Sequence, residues 1–521
     1  MSKKNWPLGS QALLYTFALL KFLLPYWIQH SAYEPHRDEF LYLAEARHLS
    51  WGYLEVPPIM SALGWVTNLM GGSLFWIRFW PSLFGALTWL LVGRLILHLG
   101  GKRFALLLGF LPFVCGYLMH VFFIFQPNFL EVFFWTGMAY GLVRYVQGED
   151  PKGLYIMGVS LGLGLMSKYS VLFFFCSLML GAALTPQRKI FLEKHFWLAL
   201  LTAFILFLPN GIWQAIHGFP VLHHMKELEK QQLQNINRVD FLRDQLVFNF
   251  PGLVVWGMGL WWLFSSGNGK SYRFIAWAVL FILAFLTIAQ GKSYYAMGAY
   301  PILFAFGGYA LSGRLDSRSY IVKTALTIFI IATGLIIDAV SLPFLAPERL
   351  AAFYARYPLY RQLGFLRWED QANHPLPQDF ADMLGWKELT EKTGRVYQSL
   401  NAADRSDLVL DADNYGEGAA LDNYGPAFHL PPSMGHAASY LVWTPPNFYE
   451  HEIVILTTDA RGEMNSGFVR SFQNVVLEDS IVTPLAREHG SYIILLRGPG
   501  AKARKDWKEY YDSLLRDAGT F

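Results

Sequence analysis

Cysteine is nearly absent from these 521 residues: only Cys115 and Cys176 occur, both inside apolar runs. That leaves no disulfide framework and no cysteine-based zinc site. Charge is scarce as well, since Asp, Glu, Lys and Arg make up 16% of the chain and the formal net charge is +3. So small a balance gives no footprint for nucleic acid. No heptad, collagen-like or solenoid repeat runs through the chain. No small-residue cleavage site follows the first apolar stretch, Gln11 to Gln29, which therefore reads as a retained span rather than a removable leader.

What is present is apolar. Hydrophobic residues reach 54% and aromatics 17%, too much for an ordinary soluble domain. Several runs approach the roughly 20 residues that cross a bilayer as a helix. Spans are expected near 11–29, 79–98, 104–124, 129–146, 154–167, 170–185, 196–216, 247–265, 274–290, 294–311 and 322–342, about eleven in all. The fifth is short and glycine-rich, as a tilted or broken helix among neighbours is. With the N-terminus in the cytoplasm, the inner segments hold Lys3 and Lys4; Lys102 and Arg103; Lys152; Arg188, Lys189 and Lys194; Lys270 and Arg273; Arg314, Arg318 and Lys323. Basic residues favour that side. An odd span number then puts the C-terminus outside.

From Pro343 the composition changes. The stretches LVLDA, SYLVW, EIVILTT and YIILLRG read as strands, while Phe380 to Thr393 and DWKEYYDSLLRD read as helices. The expected organisation is a membrane module over 1–342 and an external soluble α/β domain over 343–521. Between spans, VLHHMKELEKQQLQ and the pattern around Phe241 to Val247 read as helices lying on the external side.

The ionisable residues that stand out fall on the external side. Tyr33 to Pro58 carries Glu34, His36, Arg37, Asp38, Glu39, Glu45, Arg47, His48 and Glu55. A helix begun near Asp38 sets Asp38, Tyr42 and Glu45 on one face and turns Glu39 about 100° away. Asp38 and Glu39 read equally as a catalytic carboxylate pair or as an acidic pair favoured by a helix N-terminus. Glu131 lies one turn into the fourth span, where an acid costs roughly 2.5–3.5 kcal/mol unless paired or hydrated. Lys168 ends the fifth span, and Lys292 sits with Tyr294 and Tyr295 between the ninth and tenth. Snorkelling is the competing account of both lysines, and of Lys21, Arg94 and Arg144. His217, His223 and His224 have no zinc-site spacing, and oxygen ligands for a divalent ion are not clustered around Asp38 and Glu39.

The segments HRDEFLYLAEARHLSWGYLEVPP, FQPNFLEVFFW, GLGLMSKYSVLFF, LPNGIWQAIHGFPVLHHMKEL and GKSYYAMGAYP follow one another in an order that resembles the polyprenol-phosphate-sugar-dependent glycosyltransferases. These form the protein O-mannosyltransferase and aminoarabinose transferase superfamily, with the C-type membrane fold. DNYGEGAALDNYG and MGHAASYLVW extend the resemblance into the tail. It implies inverting transfer of a sugar from a polyprenyl-phosphate donor to a hydroxyl of a glycolipid, glycan or protein, outside a bacterial inner membrane and without a required metal. Asp38 would be the base, with Glu39 beside it and Glu131 at the second acidic position, where an Asp is expected. Arg37, Tyr42, Lys168, Lys292, Tyr294 and Tyr295 would contact phosphate and sugar. The alternative is a transporter of a lipid-linked sugar, for which internal pseudo-repeats and mid-membrane polar groups are the signature.

Overall fold

A computed structural model describes residues 6–519 except 149, 232, 316, 317, 319, 459–463 and 465. Lys3, Lys4 and Gln232, used above, lie outside the described residues. The chain forms two compact units: the first comprises 1–29, 78–211 and 228–344, the second 30–77, 212–227 and 345–521. The loop 30–77 thus folds with the C-terminal segment, although sequence placed it with the membrane half.

The first unit is helical. Among the described residues five helices are long and apolar enough to cross a membrane: Leu8–Ile28, Leu74–His98, Lys194–Ile216, Lys270–Ile288 and Tyr320–Asp338. Two bent pairs raise the number to as many as seven: Val171–Ala183 with Pro186–Leu192 (113°), and Arg238–Phe248 with Leu253–Ser265 (104°). Of the other expected spans, 129–146 is the continuous helix Asn128–Gly148, less apolar than these five, and the rest are shorter or broken helices. The stretch 104–124 divides into Arg103–Val114 and Leu118–Val121, separated by Gly116 at φ 155°, a backbone conformation reserved for glycine. The glycines of the fifth span serve close packing. A Cβ on Gly153 would lie 2.4 Å from the Gly141 carbonyl oxygen, and one on Gly158 2.3 Å from that of Ala199. Small residues let apolar helices approach backbone to backbone where no hydrophobic drive separates them from lipid.

The second unit is built on a five-stranded sheet of order β2-β1-β3-β5-β4. Its strands are β1 (Leu408–Ala412), β2 (Ser433–Gly435), β3 (Ile453–Thr458), β4 (Phe472–Ser480) and β5 (Tyr492–Pro499). β1 pairs parallel with β2 and β3; β5 pairs antiparallel with β3 and β4. β1 and β3 are buried along their whole length, which is why they read as short apolar runs. SYLVW is a correction: Tyr440–Trp443 is one helical turn. The expected helix over 380–393 begins instead at Trp386 and runs to Ser399; the terminal helix spans Ala501–Asp517.

The first loop contributes to both faces of this sheet. Phe40, Leu41 and Ala44 join Trp386, Leu389, Leu410 and Ile455 in one core cluster. On the other face Leu54 joins Val409, Val454, Trp507 and Tyr511. Backbone bonds lock the connection: the Glu34 N–H donates to the Met383 carbonyl at 2.9 Å, and the Arg37 N–H to that of Asp382 at 3.0 Å.

Candidate active site

In the second unit the helix Arg37–Glu45 starts on a capping box. The Asp38 N–H donates to His36 Nδ1 at 3.1 Å, and the His36 N–H donates to Glu39 Oε2 at 2.7 Å. These reciprocal bonds satisfy two of the N–H groups a helix start leaves open. Glu39 is fully buried, so its carboxylate holds the loop in place and the geometry gives it a positioning role. Asp38, one residue earlier, is half-buried, and its Oδ1 accepts the hydroxyl of Tyr415 at 2.8 Å. The Arg37 guanidinium stands 4.3 Å above the Tyr415 ring.

The face expected from spacing is present. Burial, reinforced by the charge of Asp38, raises the Tyr42 hydroxyl well above its ordinary pKa. Burial, with Glu55 beside it, raises Glu45 well above the usual carboxylate range. Glu45 is fully buried and neither carboxylate oxygen has a hydrogen-bond partner, so the neutral acid is the form that suits the site. Glu55 accepts the Ser439 hydroxyl at 2.6 Å.

His36, Asp379 and Asp382 have the spacing of a metal-ligand set. His36 Nε2 lies 3.5 Å from Asp379 and 3.6 Å from Asp382. The cap, however, requires a bare lone pair on Nδ1, so a neutral ring carries its proton on Nε2 and cannot ligate through that atom. Burial works against the imidazolium, but Asp379, Asp38 and Asp382 outweigh it and pull the pKa up to about 9. Acids and cap therefore compete for this ring. The 3.1 Å contact of the Asp38 N–H with Nδ1 favours the neutral form, because a second ring proton would oppose that N–H.

In the first unit, the helix Asn128–Gly148 and the turn after Lys152–Leu165 bring Glu131 to Lys168. The Lys168 ammonium donates to Glu131 Oε2 and to Asn128 Oδ1, both at 2.7 Å, and lies 4.4 Å from the Tyr295 ring centroid and 5.8 Å from that of Tyr294. The Ser170 hydroxyl donates to the other Glu131 oxygen. Glu131 is 2% exposed, so this is a buried, hydrogen-bonded ion pair rather than a snorkelling acid. Lys292 precedes the 3-10 turn Ser293–Ala299 that carries both tyrosines, close enough to Tyr295 to act on it electrostatically. Arg37, Asp38, Glu39 and Tyr42 thus gather in the second unit, and Glu131, Lys168, Lys292, Tyr294 and Tyr295 in the first.

Asn128, Ser170 and Tyr415 were not singled out from sequence. The first two had a usable signal: Asn128 precedes Glu131 by three positions and Ser170 follows Lys168 by two. Tyr415 lies in the DNYGEGAALDNYG stretch of the resemblance, but nothing in the sequence pairs it with Asp38, 377 residues away.

Two solved structures of ArnT from Cupriavidus metallidurans share this architecture. The structure bound to undecaprenyl phosphate aligns over 95% of this chain and 99% of its own, with TM-score 0.61 and 12% identity. The apo structure aligns over 95% and 98%, with TM-score 0.59 and 11% identity. The chain therefore shares the fold of these structures. Residues 55–213 match the family model of dolichyl-phosphate-mannose-protein mannosyltransferases, a segment that contains Glu131 and Lys168. The chain is also 27% identical over 293 residues to the lipid A galacturonosyltransferase RgtD of Rhizobium johnstonii, covering 50% of this chain and 58% of that relative. It therefore spans about 58% of the length of the curated relative it matches.

Proposed function

We propose that this protein transfers a sugar from a polyprenyl-phosphate donor to an acceptor hydroxyl with inversion at the anomeric carbon. The observation that carries the reading is the Lys168 ammonium, fixed at 2.7 Å between Glu131 and Asn128 within the segment that matches the mannosyltransferase family. An ammonium has three donors; two are committed here, and the third serves the donor phosphate. In the reaction the acceptor oxygen attacks the anomeric carbon and its proton passes to Asp38. The bond from that carbon to the phosphate oxygen breaks, and Lys168, Lys292 and the hydroxyls of Tyr294 and Tyr295 stabilise the charge left on the departing phosphate. Glu131 holds Lys168 in place, Glu39 holds the helix of Asp38, and Arg37 and Tyr42 complete the polar surroundings of the base.

The relatives favour this chemistry: one is named for galacturonosyl transfer to lipid A, and another was solved with undecaprenyl phosphate. A glycolipid acceptor fits best, ahead of a glycan or protein hydroxyl. We further place the N-terminus in the cytoplasm, about eleven spans in a bacterial inner membrane, and the 343–521 segment on the periplasmic side.

The test is an incubation of purified protein in detergent with a synthetic polyprenyl-phosphate sugar and a lipid A acceptor. Free polyprenyl phosphate and a product of inverted anomeric configuration are expected. A retained configuration, or a donor that changes leaflet in vesicles without being consumed, would overturn the reading.

A further inference from the structure

The geometry points to Tyr415, contributed by the C-terminal segment, as the residue that positions and orients the carboxylate of Asp38; this inference rests on the role proposed above for Asp38. Tyr415 is the first residue of the helix Tyr415–Tyr424, and its hydroxyl donates to Asp38 Oδ1 at 2.8 Å. Fixing Oδ1 fixes the plane of the carboxylate, and with it the direction of Oδ2. A general base is effective only when its lone pair meets the acceptor proton within hydrogen-bond reach, and a carboxylate free to rotate meets it a fraction of the time.

Three features of the local build serve this one contact. Asn414 caps the helix, its Oδ1 accepting the N–H groups of Gly416 at 2.9 Å and Glu417 at 3.1 Å, which pins the backbone at Tyr415. Gly416 makes room for Arg37: a Cβ there would lie 2.6 Å from Arg37 Cγ, so any larger residue displaces the guanidinium. Arg37 in turn lies over the Tyr415 ring, a cation–π contact that helps hold the ring in place. Burial and the charge of Asp38 raise the Tyr415 hydroxyl well above its ordinary pKa, against the lowering effect of Arg37. It therefore stays a donor throughout any working range.

Among the groups that act on this pair are Arg37, His36, Tyr42 and Asp382. Phe in place of Tyr415 alters none of them and removes only the hydroxyl.

The experiment is a measurement of kcat and donor KM for the full-length enzyme, using the synthetic donor, for wild type, Y415F, N414A, D38N and the double variant D38N/Y415F. Expected for Y415F are a kcat lower by about ten- to a hundredfold and a donor KM within about twofold of wild type. N414A keeps the hydroxyl but loosens its seat, so it shifts the same way by less. In the D38N background Y415F adds no further loss, because the two residues act through one contact. Wild-type kcat in Y415F alongside an inactive D38N would overturn the positioning role and leave the proposed base intact. Activity in D38N would instead remove the base itself.

Discussion

Lys168→Met is expected to reduce turnover with a polyprenyl-phosphate donor by about a thousandfold or more. The side chain keeps its length but loses the ammonium, and one fixed charge on a developing oxyanion is worth roughly that factor. A second effect is structural. Glu131, 2% exposed, loses the ammonium it is paired with, and a buried acid left without its partner costs about 3–5 kcal/mol. The two effects separate in the double variant Lys168→Met/Glu131→Gln. Neutralising Glu131 removes the buried charge, so thermal stability recovers while turnover stays low. Turnover within about threefold of wild type in a folded Lys168→Met variant would exclude the lysine from phosphate handling.

The second large effect concerns Phe40. Its ring is fully buried and packs edge-on against Trp386 at 5.9 Å and Tyr424 at 5.4 Å. Truncating such a ring costs about 3–5 kcal/mol. Because Phe40 belongs to the core of the second unit, Phe40→Ala is expected to weaken that unit selectively. Hydrogen exchange should quicken at the central strands β1 and β3, while the helices of the first unit keep their protection. Unchanged exchange at β1 and β3 would show that the loop 30–77 and the 345–521 segment fold independently. The same coupling means that cutting the chain after residue 342 removes most of the apolar surface that seats the helix of Asp38.

Much of this was readable from the sequence, for physical reasons. A bilayer demands long apolar helices, and the five described helices long and apolar enough to cross one all fall on expected runs. The fully buried strands β1 and β3 announced themselves as apolar runs, and the spacing of Asp38, Tyr42 and Glu45 gave their shared face. The edge strand β4 escaped because only Phe472 of its nine residues is buried, which leaves no apolar pattern to detect. SYLVW misled because an apolar run of five residues cannot distinguish a strand from one buried helical turn. The ion pair of Glu131 with Lys168 was half-visible, as two charges out of place at span ends; their polar partners Asn128 and Ser170 lay within three positions of them and were not singled out. Least visible was the dependence of the first loop on the tail, since contacts between residues hundreds of positions apart leave no periodicity to find.

The proposed chemistry makes Asp38 the group that accepts the proton of the attacking hydroxyl. Single-turnover transfer from a radiolabelled polyprenyl-phosphate sugar, measured for Asp38→Asn beside wild type at matched thermal stability, tests that assignment most directly. A rate lower by about three orders of magnitude with unaltered donor binding is predicted; transfer at near wild-type rate by the folded variant would contradict it.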